Sequence, residues 1–217
     1  MANVKQQLDI PAIPPLGTSG NVYSQNVQNQ NNGLLRLFFT RLVNSIQSVI
    51  GPMGGKYLNN PHGAFQSLSD QTLGAANTAY AITFDTTNYS NGITITSSSR
   101  LKVTSSGIYN LQWSGQFQNT DVLLQIVSIW LSKNGTDVAG SLGSESVPYI
   151  SGAVNGTSII GRNYFIQLEA EDYVELYWSA TSTNVSLQFY PTQSSPTRPT
   201  TASVIGTMNF VSNLPTL

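Results

Sequence analysis

Between Tyr109 and Gln118 the chain alternates with a period of two. Tyr109, Leu111, Trp113 and Phe117 fall on one phase, and Asn110, Gln112, Ser114, Gln116 and Gln118 on the other. A period of two belongs to a strand with one face on a core and one face wet, since an α-helix repeats every 3.6 residues. The wet phase holds amides and a hydroxyl but no charge. The same economy runs through the chain: Asp, Glu, Lys and Arg make up 9% of it, where about a quarter is usual.

Alternation returns in "TAYAITFD", "GITITSS" and "RLKVTSS" (residues 78–85, 92–98 and 100–106). Asn134-Gly135 is a tight-turn dipeptide, and the stretch 157–180 reads as two strands joined by the acidic turn Glu169 to Asp172. "NVSLQFY", the loop "PTQSSPTRPT" and the final strand "ASVIGTMNFV" complete the series. About eight to ten strands with no helix between them predict an all-β fold, an antiparallel sandwich of jelly-roll type over residues 65–217.

One strand breaks the half-wet rule. In "DVLLQIVSIWLSKNG" both phases are apolar, with Val122, Leu124, Ile126 and Trp130 on one and Leu123, Val127, Ile129 and Leu131 on the other. Such a strand is expected to be covered on both sides. Trp113, Trp130 and Trp178 all fall in phase with faces expected to be buried, which favours core packing over sugar stacking.

The first hundred residues mostly do not alternate. Residues 1–33 carry "IPAIPPLGTSG" and "SQNVQNQNNG", whose prolines and amides predict an extended arm with no core of its own. Its spaced apolar residues, Ile10, Ile13 and Leu16 among them, suit a peptide that docks on a partner. Residues 34–50 follow with Leu35, Phe38, Leu42, Ile46 and Val49 at helical spacing, a start capped by Asn31 or Asn32 and a stop at Gly51-Pro52. Leu34, Leu37, Phe39, Val43 and Ile50 widen the stripe, so this helix needs neighbours on more than one side. Residues 51–64, rich in Gly and Pro, read as a hinge.

Few functions survive the composition. Nine basic residues and a net charge of −1 give no basic patch for nucleic acid. With no cysteine and one histidine, His62, thiolate zinc sites and a cysteine nucleophile are excluded, and a Ser-His-Asp triad lacks a nucleophile motif near its only base. The acids Glu169, Glu171 and Asp172 are close enough in sequence for calcium, though acids in a strand-joining turn are ordinarily just solvated. Neither "GPMGG" nor "GSLGS" is placed as a phosphate cradle. No cofactor is expected. The start "MANVKQQLDIPAIPPLG" lacks a signal-peptide pattern, and no window holds the roughly 20 apolar residues of a membrane span, so the chain is expected to be made as a soluble protein with no membrane insertion.

Five segments in order carry a family resemblance: "FDTTNYSNG" (84–92), "SSRLKVTSSGIYNLQWSGQF" (98–117), "LSKNG" (131–135), "IQLEAEDYVEL" (166–176) and "SVIGTMNFV" (203–211). Together they resemble the successive signatures of the C1q and tumour-necrosis-factor jelly rolls. Glu171 stands where that family has glycine and Thr207 where it has an aromatic. The resemblance implies a compact homotrimer, with Leu123, Val127, Ile129 and Leu131 of the doubly apolar strand and Tyr173, Tyr177 and Tyr190 as interface candidates.

The leader "GLLRLFFTRLVNSIQ" and its continuation to Gln66 resemble segments that precede such domains in virion proteins of tailed bacteriophages, notably those of marine bacteria and cyanobacteria. That implies a non-enzymatic virion protein, a homotrimeric tail fibre, spike or tail-associated part held to other virion proteins through residues 1–60. The alternatives are a capsid decoration or head fibre, or a module that recognises a host glycan or protein through loops 141–155 and 191–199.

Overall fold

The computed structural model describes residues 11–18, 20, 22–50 and 60–214, the side chains of 48–50 excepted. The chain divides into two compact units, Met1–Asn59 and Asn60–Leu217.

Among the described residues of the first unit a single helix, α1, spans Gln25–Ile50, starting well before the expected Leu34. The Asn/Gln run that reads as an arm is helical because it holds no proline, and each amide residue costs only a few tenths of a kcal/mol against alanine. Ser24 opens the helix, its carbonyl accepting from the Gln28 amide at 3.1 Å. Asn31, expected as a cap, has another role: its side-chain nitrogen donates to the Gly17 carbonyl at 2.8 Å, and its Oδ1 accepts from the Gly17 amide at 2.9 Å. A Cβ at Gly17 would sit 3.7 Å from Val27. The arm is therefore clasped to the first half of the helix.

In the second unit ten principal strands form two antiparallel sheets. They are β1 His62–Ser67, β2 Thr86–Asn91, β3 Ile93–Thr96, β4 Arg100–Val103, β5 Gly107–Asn119, β6 Gln125–Lys133, β7 Gly143–Val147, β8 Gly156–Leu168, β9 Tyr173–Ala180 and β10 Val204–Ser212. The first sheet runs β8-β5-β10-β1-β2, with Val185–Leu187 continuing along β5 beyond β10. The second runs β7-β6-β9-β4-β3, with short strands Tyr80–Ala81 on β9 and Thr136–Asp137 on β6. This is the antiparallel jelly-roll sandwich that the alternation predicts. The strands begin at His62, so residues 60–64, expected in the hinge, belong to the sandwich.

Local chemistry agrees with the topology. Asn134 and Gly135 take φ of 50° and 79°, as a two-residue hairpin turn requires. Tyr109, Leu111, Trp113 and Phe117 of β5 face inward and are buried, meeting Val127, Ile129, Leu131, Leu176 and Trp178 in the core. Phe117 and Trp178, one from each sheet, pack edge to face at 5.6 Å between centroids. Asn119, the one fully buried side-chain amide among the described residues, is satisfied. Its nitrogen donates to the carbonyls of Leu123, Val147 and Pro148, and its Oδ1 accepts from the Asp121 amide. Two loops are thereby fastened at one end of the sandwich.

The doubly apolar strand resolves differently from expectation. Residues 122–124 form a loop, and β6 begins at Gln125. Val127, Ile129 and Leu131 are at most 1% exposed inside the core, so they cannot face a sister subunit. The opposite phase, Ile126, Ser128 and Trp130, points outward. Trp130 thus leaves the core, where Trp113 and Trp178 stay.

Candidate functional site

The outward positions of the first sheet form an uncharged surface. Strand pairing places Asn110, Gln112, Ser114, Gln116 and Gln118 of β5 beside Thr157, Ile159, Gly161, Asn163 and Phe165 of β8 on one side, and beside Ile205, Thr207 and Asn209 of β10 on the other. Across β10 follow Gln66, Ala64 and His62 of β1, then Thr86, Tyr89 and Asn91 of β2. None of these outward positions holds Asp, Glu, Lys or Arg. Amides bond along the surface, as in Asn110 to Asn163 and in Gln118 to the Tyr190 hydroxyl at 2.7 Å. Ile159, Phe165 and Ile205 rise from it, 72%, 66% and 49% exposed. Large apolar side chains on a neutral carpet desolvate more cheaply than they would among charges, which is the chemistry of an interface.

α1 offers a second surface. Leu35, Phe38 and Leu42 are half-buried on one stripe, whereas Leu34, Leu37, Phe39, Val43 and Ile46 are exposed. In the arm, Ile13 and Leu16 are exposed. Ile10 and the side chain of Val49 lie outside the described residues.

The remaining interface candidates scatter. Leu123 is exposed in the loop before β6. Tyr173 and Tyr177 stand half-buried on the outer face of the second sheet, while Tyr190 bonds Gln118 on the first. The three tyrosines therefore do not form one surface. Sequence reasoning missed Ile159, Phe165 and Ile205, because only strand register brings them together.

The acidic turn is a hairpin lock. Asp172 accepts from Asn134 at 2.6 Å and from the Glu169 amide at 2.8 Å, and pairs with Lys133 at 2.9 Å. Glu171 pairs with Lys102 at 2.5 Å, and Glu169 accepts from Ser106 at 2.8 Å. Each carboxylate has its own donor, and among the described residues no His/Cys/Asp/Glu group converges as a metal site. His62 bonds the Asn60 carbonyl at 2.7 Å and lies 6.0 Å from the Tyr89 ring.

Three aspartates carry a pH dependence. Partial burial pushes Asp85 up, but bonds from Thr86, the Leu68 amide, Ser69 and Ser67 outweigh it and hold its pKa below the ordinary 3.8. Asn184 does most to lower Asp121. Burial likewise opposes the lowering of Asp172, which Asn134, Lys133 and the Glu169 amide bring about. Groups whose folded pKa lies below the unfolded one contribute stability above the unfolded value and lose it as pH falls through the folded value. The melting temperature is expected to be flat from neutral pH to about 5 and to fall below about pH 4. Circular dichroism melts across that window check it, and a melting temperature that rises on acidification contradicts it.

No family model matches the chain, and no curated protein matches it. Among the described residues no helix is long and apolar enough to cross a membrane.

Proposed function

We propose that the chain is a non-enzymatic structural protein of a bacteriophage virion, a homotrimer whose sandwich projects and whose arm and α1 attach it to the particle. A tail fibre, spike or tail-associated part is the preferred location. The observation that carries the reading is the uncharged outer face of the first sheet with Ile159, Phe165 and Ile205 exposed on it. A surface without charge resists association poorly, and three large apolar side chains exposed on it, two on the edge strand β8 and one on β10, reward it. The exposed Leu37, Phe39, Val43 and Ile46 of α1 add a separate docking element. Ordering the arm on a partner costs about 1–2 kcal/mol per residue, which apolar anchors such as Ile13 and Leu16 offset by burial. Three linked arms also bind with avidity.

Light scattering on a fragment beginning at residue 60, beside the full chain, tests the assembly. The β unit has its own core, and the fragment is expected to be a trimer. A monomeric fragment beside a self-associating full chain would move the assembly code into the arm and α1. The virion assignment is tested separately by mass spectrometry of purified particles, from which this chain must not be missing.

A further inference from the structure

The outer face of the second sheet differs from that of the first, holding aromatic and charged side chains. Strand pairing sets Trp130 of β6 directly opposite Tyr177 of β9, with the small Ala81 on the far side of Tyr177. The two rings are nearly parallel, 18° between planes, with centroids 6.0 Å apart. Eclipsed rings would approach to about 3.5–4 Å, so the pair is laterally offset and neither ring covers the other. Both side chains are half-buried, and together they make a stepped aromatic shelf.

Polar groups line both sides of the shelf. One pairing step along the strands, Ser144, Ser128 and Ser179 form a row of hydroxyls across β7, β6 and β9, Ser128 and Ser144 being bonded at 2.8 Å. One step the other way lie Asp137, Ser132 and Glu175. Asp137 Oδ1 accepts from the indole N–H of Trp130 at 2.9 Å, which fixes that ring. Glu175, 4% exposed, accepts from Ser99 at 2.6 Å and pairs with Arg100 at 3.4 Å. Arg100 in turn lies over the Tyr173 ring, 4.5 Å from its centroid.

We propose that this shelf is a carbohydrate-binding site, in which Trp130 and Tyr177 stack on the apolar face of a pyranose ring while the serine row on one side and Asp137 and Arg100 on the other hydrogen-bond its hydroxyls, the buried Glu175 holding Arg100 in place. A cross-strand aromatic pair alone would stabilise the sheet. Here the pair is also held rigid before any ligand arrives and has donors and acceptors on both flanks, which is the arrangement a flat ligand with one apolar face and a polar rim requires. Two carboxylates against one guanidinium leave the site net negative, so the ligand is a neutral saccharide and not a sialylated or uronic one. The site goes beyond the structural role and uses a different face from the assembly surface, so each can fail without the other.

The test uses the full chain, titrated by isothermal calorimetry, and in the parent also by tryptophan fluorescence, with neutral oligosaccharides ending in glucose, galactose, mannose or N-acetylglucosamine, and with sialylated and uronic ones. Trp113 and Trp178 are buried, so a change in emission reports on Trp130. At least one neutral oligosaccharide is expected to bind, Trp130→Ala to weaken it at least tenfold, and Tyr177→Phe, which keeps the ring, by about two- to fivefold. Light-scattering mass is expected to be the same for both variants and the parent. Absence of binding by every neutral saccharide at millimolar concentration overturns the proposal. So does a preference for the acidic ones, or binding that Tyr177→Phe and a folded Trp130→Ala leave unchanged.

Discussion

Trp178→Ala is expected to lower the stability of the β unit by about 3–5 kcal/mol. Trp178 is 1% exposed and projects from β9 of the second sheet onto Phe117 of the first, so its removal opens a cavity where the sheets meet. The neighbours Phe117, Ile129 and Leu176 stand on paired strands and cannot collapse into the space without breaking register. With domain stabilities of about 5–15 kcal/mol, the loss takes at least about a fifth of the margin. Trp130→Ala supplies the contrast: it removes an indole from the outer face and opens no core cavity, so its cost is expected to be smaller. Urea unfolding of both variants, followed by far-ultraviolet circular dichroism, separates them. Equal midpoints would mean that the inward and outward assignments of the two tryptophans are wrong.

Those two residues also show what could be read from the sequence. The alternation of β5 needs no knowledge of neighbours, because one face is apolar and the other amide throughout, and the jelly-roll expectation rests on strands of that kind. β6 defeats the same method: the loop 122–124 is as apolar as the strand after it, so the count starts in the wrong place and both phases look buried. Ser128 and Ser132, flanking Trp130 on its own phase, are the signal that could have set the phase correctly. The start of α1 was hidden for a different reason. An Asn/Gln run has no apolar period, and its place in a helix follows from what Asn31 bonds to, the backbone of Gly17. The uncharged sheet face was half legible, in the wet phase of β5, but nothing local shows that Phe165 lies beside Asn110 or that Ile205 lies beside Ser114.

Ile159→Lys combined with Phe165→Lys is expected to leave the fold intact and abolish the proposed trimer of the β unit. Both side chains are mostly exposed on β8, and substitutions at such positions ordinarily change stability by no more than about 0.5 kcal/mol. In an assembly closed over this face the effect is far larger. Each ammonium would have to leave water, at an effective penalty of several kcal/mol per ion, and the outward positions of the first sheet hold no carboxylate to receive it. Neutral amides solvate a cation only in part. Two such penalties per subunit weaken association by at least about a thousandfold, enough to turn a micromolar trimer into a monomer. Light scattering on the fragment beginning at residue 60 is the decisive form of the measurement, because α1 is absent and cannot hold the copies together. A trimer that survives both lysines there would place the interface elsewhere on the sandwich. A parent fragment that is trimeric and a double variant that is monomeric with an unchanged circular dichroism spectrum would fix it on the face shared by β5, β8 and β10.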